Sequence, residues 1–195
     1  DADLAPTNKP PNAATLYAMT KVLAAQGKDE QCRYVLQSIL RESPTFTPAY
    51  CDLAELHMRN GRVVAAVKTL EAGLKVSPGD PVLSNNLGMC LVFQRDYEGA
   101  LAHFTQAAGK SPNDSRYRAN VALALGMMGR YEESLALFRQ ILPESEALHN
   151  LAVIARARGD TDFSARDILH AETPSDGGHG GASGSPAENT GPAGS

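Results

Sequence analysis

Apolar residues recur along the middle of the chain at helical spacing. Leu83, Leu87 and Leu91 fall on one helical face, then Tyr97, Ala100, Leu101 and Phe104 fall on another after a short polar break. Spacings of three and four predict two amphipathic helices of about 13 residues joined by a tight turn. The pattern returns every 34 residues, with copies starting at residues 13, 47, 81 and 115. A fifth copy starts at Ser145, after a second helix cut short at Pro143, so one connection is shorter than the others. The expected organisation is a lead-in over 1–12, hairpins over 13–46, 47–80, 81–114, 115–144 and 145–170, and a tail over 171–195.

Columns in this register predict the packing. Small residues stand at Thr20, Ala54, Gly88, Ala122 and Ala152 on the first helices, and at Cys32, Ala66, Ala100, Ser134 and Ser164 on the second. Their size lets the paired backbones approach, while Met19, Leu53, Leu87, Val121 and Leu151, with Leu36, Leu70, Phe104, Phe138 and Ile168, are expected to fill the remaining volume. Pro44, Pro78 and Pro112 each follow a helical run, so the chain stops and reverses there. Gly27, Gly61 and Gly129 occupy the turn inside the hairpin, where the third copy has Arg95. Either that turn avoids the left-handed region or Arg95 carries about 1 kcal/mol of strain in it.

The ends differ in composition. Residues 1–12 are polar and proline-containing, and AETPSDGGHGGASGSPAENTGPAGS over 171–195 has too little apolar surface to form a core, predicting a disordered Gly/Ser/Pro-rich tail. Over the whole chain, 43% hydrophobic residues predict a folded protein, and a net charge of -4 gives nucleic acid no general attraction. No apolar run reaches the roughly 18 residues of a membrane span, so no transmembrane segment is expected in this chain. Cys32, Cys51 and Cys90 are three in number without CxxC spacing, which points to small buried residues rather than a disulfide framework or zinc ribbon.

The 34-residue hairpin, with SNNLGMCL at 84–91, ALAHF at 100–104 and Pro112, resembles the tetratricopeptide repeat family. Serine and leucine stand where that family's pattern has tryptophan and tyrosine. The fourth copy offers Arg118, Val121, Ala122, Leu125, Ser134 and Phe138, and the first and fifth copies depart most. The resemblance covers about residues 13–170. It implies an all-α fold, a right-handed superhelical solenoid of about five hairpins, whose first helices line a concave groove for a protein or peptide partner.

On that expectation the groove-facing columns are Tyr17, Cys51, Asn85, Ala119 and His149; Ala18, Asp52, Asn86, Asn120 and Asn150; and Lys21, Glu55, Met89, Leu123 and Val153. An amide donates and accepts at once, which suits the main chain of an extended peptide. Apolar side chains of that peptide would find Val82, Met89, Val92, Phe93, Leu123 and Met127. The candidate peptide-binding set is therefore Asn85, Asn86, Met89, Phe93, Arg116, Asn120, Leu123, Met127, His149 and Asn150. The alternative is that the asparagines bond to a neighbouring repeat and the methionines fill the inter-repeat core. Arg116, Arg118 and Arg156 are candidates for a carboxylate, with solvated surface charge as the alternative.

No catalytic, metal or cofactor site is expected. His57, His103, His149, His170 and His179 have neither HExxH nor His-x-His spacing, and the recurring glycines lie between two helices rather than in a phosphate-binding loop. A narrower resemblance is carried by GRYEESLALFRQILPESEALHNLAVIARARGD, which is similar to the repeat lipoproteins of bacterial tight-adherence (Flp-type) pilus assembly. It implies a periplasmic or envelope-attached adaptor, with a cytoplasmic protein as the alternative. A second class of function remains open: a self-assembling scaffold, a homo-oligomer joined through its repeat ends or convex face. That reading needs exposed apolar residues on the terminal helices, such as Leu16, Met19, Ile168 and Leu169.

Overall fold

The computed structural model describes residues 12–160. Residues 1–11 of the lead-in, the stretch expected to form the second helix of the fifth copy and the tail lie outside the described residues, together with Ser164, Ile168, Leu169, His170 and His179. Nine α-helices follow one another in the described part: α1 (Ala13–Ala25), α2 (Asp29–Glu42), α3 (Thr47–Arg59), α4 (Val63–Val76), α5 (Pro81–Phe93), α6 (Tyr97–Lys110), α7 (Ser115–Met127), α8 (Tyr131–Arg139) and α9 (Glu144–Arg158).

Local chemistry sets the bounds. Asp80 and Asp114 accept hydrogen bonds from the first free amides of α5 and α7, and Asn12 does the same for α1. Pro48 and Pro81 sit in the first turns of α3 and α5, where a missing N–H costs nothing. At the other end of the hairpin, the helices α2, α4 and α6 stop at Ser43, Ser77 and Ser111, each just before a proline of the repeating column. The fourth hairpin differs. Its second helix α8 has 9 residues where α2, α4 and α6 have 14, and α9 begins at Glu144, one residue before the sequence boundary.

Each helix packs on its neighbours in the chain, giving an all-α solenoid of helix-turn-helix units. First helices also touch across repeats, α3 with α5, α5 with α7 and α7 with α9, whereas no pair of second helices packs comparably among the described residues. First helices therefore sit closer together than second helices, and the stack curves with them on its inner side.

The core runs through the stack as successive clusters. Leu36 and Ile39 of α2 meet Ala49, Leu53 and Leu56 of α3; Leu70 meets Leu83 and Leu87; Leu135 and Phe138 meet Ala147, Leu151 and Ile154. The small columns touch within a hairpin, as expected. Ser134 donates to the Ala122 carbonyl at 2.7 Å, and the Cys32 thiol approaches the Thr20 carbonyl at 3.6 Å. All three cysteines are free thiols, and Cys32 and Cys90 are buried. One expectation fails: Met19, placed by its column among the volume-filling residues, is half exposed.

Arg95 settles the question of its turn. Its φ is 63°, alongside 68°, 70° and 83° at Gly27, Gly61 and Gly129. The backbone geometry of the turn is thus kept, and the arginine carries the left-handed strain that glycine escapes. Arg95→Gly is expected to be neutral or to stabilise by up to about 1 kcal/mol in chemical denaturation. A loss of more than about 1 kcal/mol would contradict this account of the turn.

Candidate functional site

The inner side carries two adjoining depressions formed by α3, α5 and α7. The first, of about 590 Å³, lies between α3 and α5 and is walled mainly by Cys51, Met58, Val63, Met89, Cys90 and Phe93, with Glu55 and Arg59 at its edge. The second, of about 460 Å³, lies between α5 and α7 among Val82, Asn85, Asn86, Met89, Arg116 and Asn120. Asn86 and Met89 belong to both, which makes them continuous. Phe93 is 67% exposed, a large ring held open to solvent at the end of α5. A third depression, of about 630 Å³, continues from Phe93 past Arg95 to Met127, Met128 and Arg158 at the turn end of the stack.

The candidate residues divide on this map. Asn85, Asn86, Met89, Arg116 and Asn120 come together between α5 and α7, while Met89 and Phe93 face the α3–α5 depression. Met127 lines the third depression and, with Leu123, packs against the core cluster between repeats four and five. His149 is exposed and Asn150 half-buried, and neither lines any of these three depressions. Arg116 is tied to Asp114 in its own turn at 2.7 Å. That partner holds the Asp114 carboxyl below the usual carboxylate range.

Sequence reasoning missed Met58, Arg59 and Val63. Met58 was legible in principle: Cys51, Glu55 and Met58 share a helical face, and it is the face that carries Asn85, Met89 and Val92 one repeat later. Val63 was not, because it reaches the depression from α4 across the hairpin turn.

A polar ladder crosses the inner side from repeat to repeat. In each step the residue at the fifth position of one repeat meets the residue at the sixth position of the next. Lys21, stacked over the Tyr17 ring, donates to Asp52 at 2.6 Å, which places Tyr17 beside that carboxylate. Cys51 lies beside the Asn86 side chain, and the Asn120 amide donates to the Asn85 carbonyl oxygen at 2.7 Å. Burial pushes the Cys51 thiol up to about 11, and the neighbouring Asn86 amide pulls the other way. At the next step the fifth position is Ala119, which has no polar side-chain atom to continue the ladder.

Asn85 and Asn120 therefore bond between repeats as well as lining the groove. Asn85→Ala or Asn120→Ala is expected to cost about 1 kcal/mol, because the partner loses its hydrogen bond in a half-buried place. A double-mutant cycle in chemical denaturation should return a coupling of about 0.5–1.5 kcal/mol. Strict additivity would show that the 2.7 Å contact contributes nothing.

Nothing in the site points to catalysis. Among the described residues, no group of three or more His, Cys, Asp or Glu is gathered as a metal would require, and no helix is long and apolar enough to cross a membrane. Burial lowers the basicity of His57 and His103. The all-helical repeat fold, without a catalytic motif, is consistent with a non-enzymatic protein.

Comparison with known proteins agrees with this geometry. The mouse (Mus musculus) protein O-mannosyl-transferase TMTC1 is 28% identical over 147 residues, 71% of this chain and 16% of that protein. Mouse Superkiller complex protein 3 is 29% identical over 90 residues, 46% of this chain and 6% of that one. The chain thus spans a small part of the length of either relative. Among solved structures, MamA superposes with a TM-score of 0.63 at 12% identity, covering 81% of this chain and 88% of that one. YrrB, a TPR protein with an unusual peptide-binding site, superposes with a TM-score of 0.62 at 18% identity, over 82% and 84%. At such identities the likeness is one of fold. The tetratricopeptide repeat family model matches residues 51–115 and 85–149, which together span more than half of the 195 residues, and the chain belongs to the tetratricopeptide repeat family.

Proposed function

We propose that the chain is a non-catalytic binding module that holds a segment of a partner protein, or a peptide, in the inner groove between α3, α5 and α7. Protein and peptide binding is the general role of folds of this type. The observation that carries the reading here is the α3–α5 depression of about 590 Å³, with an aromatic ring exposed at its end and apolar thioethers along its walls.

Methionines adapt their shape to an incoming side chain, and desolvating them together with Phe93 supplies the driving force. Because Asn85 and Asn120 are engaged across repeats, they contribute the groups left over from that bond, beside the Asn86 amide. Apolar anchors of the partner thus provide most of the affinity, and the amides set the path of its backbone. Arg116, already paired with Asp114, is poorly placed to add a carboxylate clamp. The peptide-binding site of YrrB, on the same fold, supports a groove of this kind.

The finer role we infer is that of an adaptor in bacterial envelope or pilus assembly, located in the periplasm or attached to the envelope. It is supported by the resemblance of residues 129–160 to pilus-assembly repeat lipoproteins.

Selection of displayed peptides against the protein tests the groove. Selected sequences are expected to carry apolar or aromatic residues, and to bind Met89→Glu at least about tenfold more weakly than the original protein, a loss of roughly 1.4 kcal/mol. Peptides that bind both forms equally would overturn the assignment of the groove.

A further inference from the structure

Arg95 holds a backbone conformation that the other hairpin turns give to glycine, at φ 63° against 68°, 70° and 83°. No contact within the described fold offsets that strain: the side chain is exposed and forms no hydrogen bond or ion pair with any other described residue. A strained residue that the fold does not use points to a use outside it. Arg95 lines the depression of about 630 Å³ that continues the inner groove from Phe93. Tyr97 lines it too, and its hydroxyl is likewise without a hydrogen bond to the described residues.

One repeat later the same two side-chain types hold a carboxylate of the chain itself. Tyr131, the equivalent of Tyr97, donates to Asp160, and Arg158 approaches the same carboxylate oxygen at 3.2 Å. For Tyr97 the residue in the column of Asp160 is Arg130, which pairs with Glu133 at 2.6 Å. The third repeat thus presents an arginine and a tyrosine that no carboxylate of the described chain engages. Glu98 lines the same depression and pairs with neither. A guanidinium's planar fork is matched to a carboxylate, and a phenol hydroxyl adds a second donor.

We infer that this depression receives an acidic side chain of the partner seated in the groove, its carboxylate bonded by the Arg95 guanidinium with the Tyr97 hydroxyl as second donor. The inference rests on the groove reading above and adds the chemistry of the partner: an apolar anchor at Phe93, followed toward the hairpin turns by aspartate or glutamate. The depression runs on past Arg95 to Met127 and Met128, so the segment continues beyond the contact and the acid is a side chain, not a chain end. Glu98 opposes a second negative charge there, which favours one acid over an acidic run.

Displayed peptides that bind through the groove, identified by their weaker binding to Met89→Glu, test the contact. They are expected to carry one acidic residue beside the apolar anchor. Changing that residue to its amide should weaken binding about three- to fivefold, since an exposed charge pair contributes modestly. Arg95→Gly should weaken binding of the acidic peptide by the same factor and bind the acidic and amide peptides equally, while unfolding at the same or a higher denaturant concentration than the original protein. Tyr97→Phe should lose part of the preference, and added salt should narrow it. Groove-dependent peptides without an acid, or a preference for the acid that survives Arg95→Gly, would overturn this proposal and leave the groove standing. An Arg95→Gly protein that is markedly less stable would also overturn it, because the arginine would then serve the fold. Peptides indifferent to Met89→Glu would overturn both readings.

Discussion

Phe104→Ala is expected to cost about 3–5 kcal/mol, the largest loss among single truncations in the stack. Phe104 is fully buried and heads the buried side chains by volume. Its ring lies against the small face of α5 within the third hairpin, and the same cluster reaches Ala124 of α7 in the fourth. Removing it opens a cavity that two repeats must share, and stacked hairpins depend on nearest-neighbour contacts for their stability. The midpoint of a denaturation curve reads the effect. A loss below about 1.5 kcal/mol would mean that the helices collapse onto the space, and that the third hairpin is not held by this ring.

Gly88 is the other half of that contact, and filling it is the second large effect. A Cβ placed there would lie 2.6 Å from the Phe104 ring, closer than real carbons approach. Gly88→Leu is therefore expected to destabilise by about 1–3 kcal/mol, even though leucine is the better helix former by somewhat under 1 kcal/mol. Gly88→Ala separates the two contributions. If it also destabilises, packing outweighs propensity at this position. Pairing Gly88→Ala with Phe104→Leu should recover part of the loss, because the smaller side chain vacates the place where the new methyl goes. Additive losses in that pair would contradict the proposed contact.

Much of the repeat plan could be read from the sequence because it depends on contacts inside one hairpin. Gly88 opposite Phe104, and Ser134 against the Ala122 carbonyl, follow from register alone. Arg95 was legible to the extent of two alternatives, since its column is otherwise glycine, and only the backbone angle chose between them. Features that depend on the next repeat were harder to read. Met19 occupies a column that is buried at Leu53, Leu87 and Leu151, yet its burial requires a preceding second helix, which periodicity does not supply.

The groove follows the same rule. Asn86 and Asn120 stand in a column whose face was legible, but the bond of Asn120 to Asn85 depends on the step between repeats. The apolar depression lies where the placement of α3 and α5 leaves room beside Met58, Met89 and Phe93, which a residue pattern does not encode. His149 and Asn150 matched the pattern on the inner face, yet the described depressions end before them.

The methionines provide the most direct test of the groove. Met58 and Met89 line its α3–α5 part, Met127 and Met128 line the depression beyond Phe93, and Met19 is on α1, outside all three. With ¹³C-methyl methionine in the protein, titration with a selected peptide should shift the Met58 and Met89 methyl signals first, saturating at the Kd measured independently, while Met19 stays fixed. Binding that leaves Met58 and Met89 unmoved, or that shifts Met19 instead, would contradict a partner seated between α3 and α5.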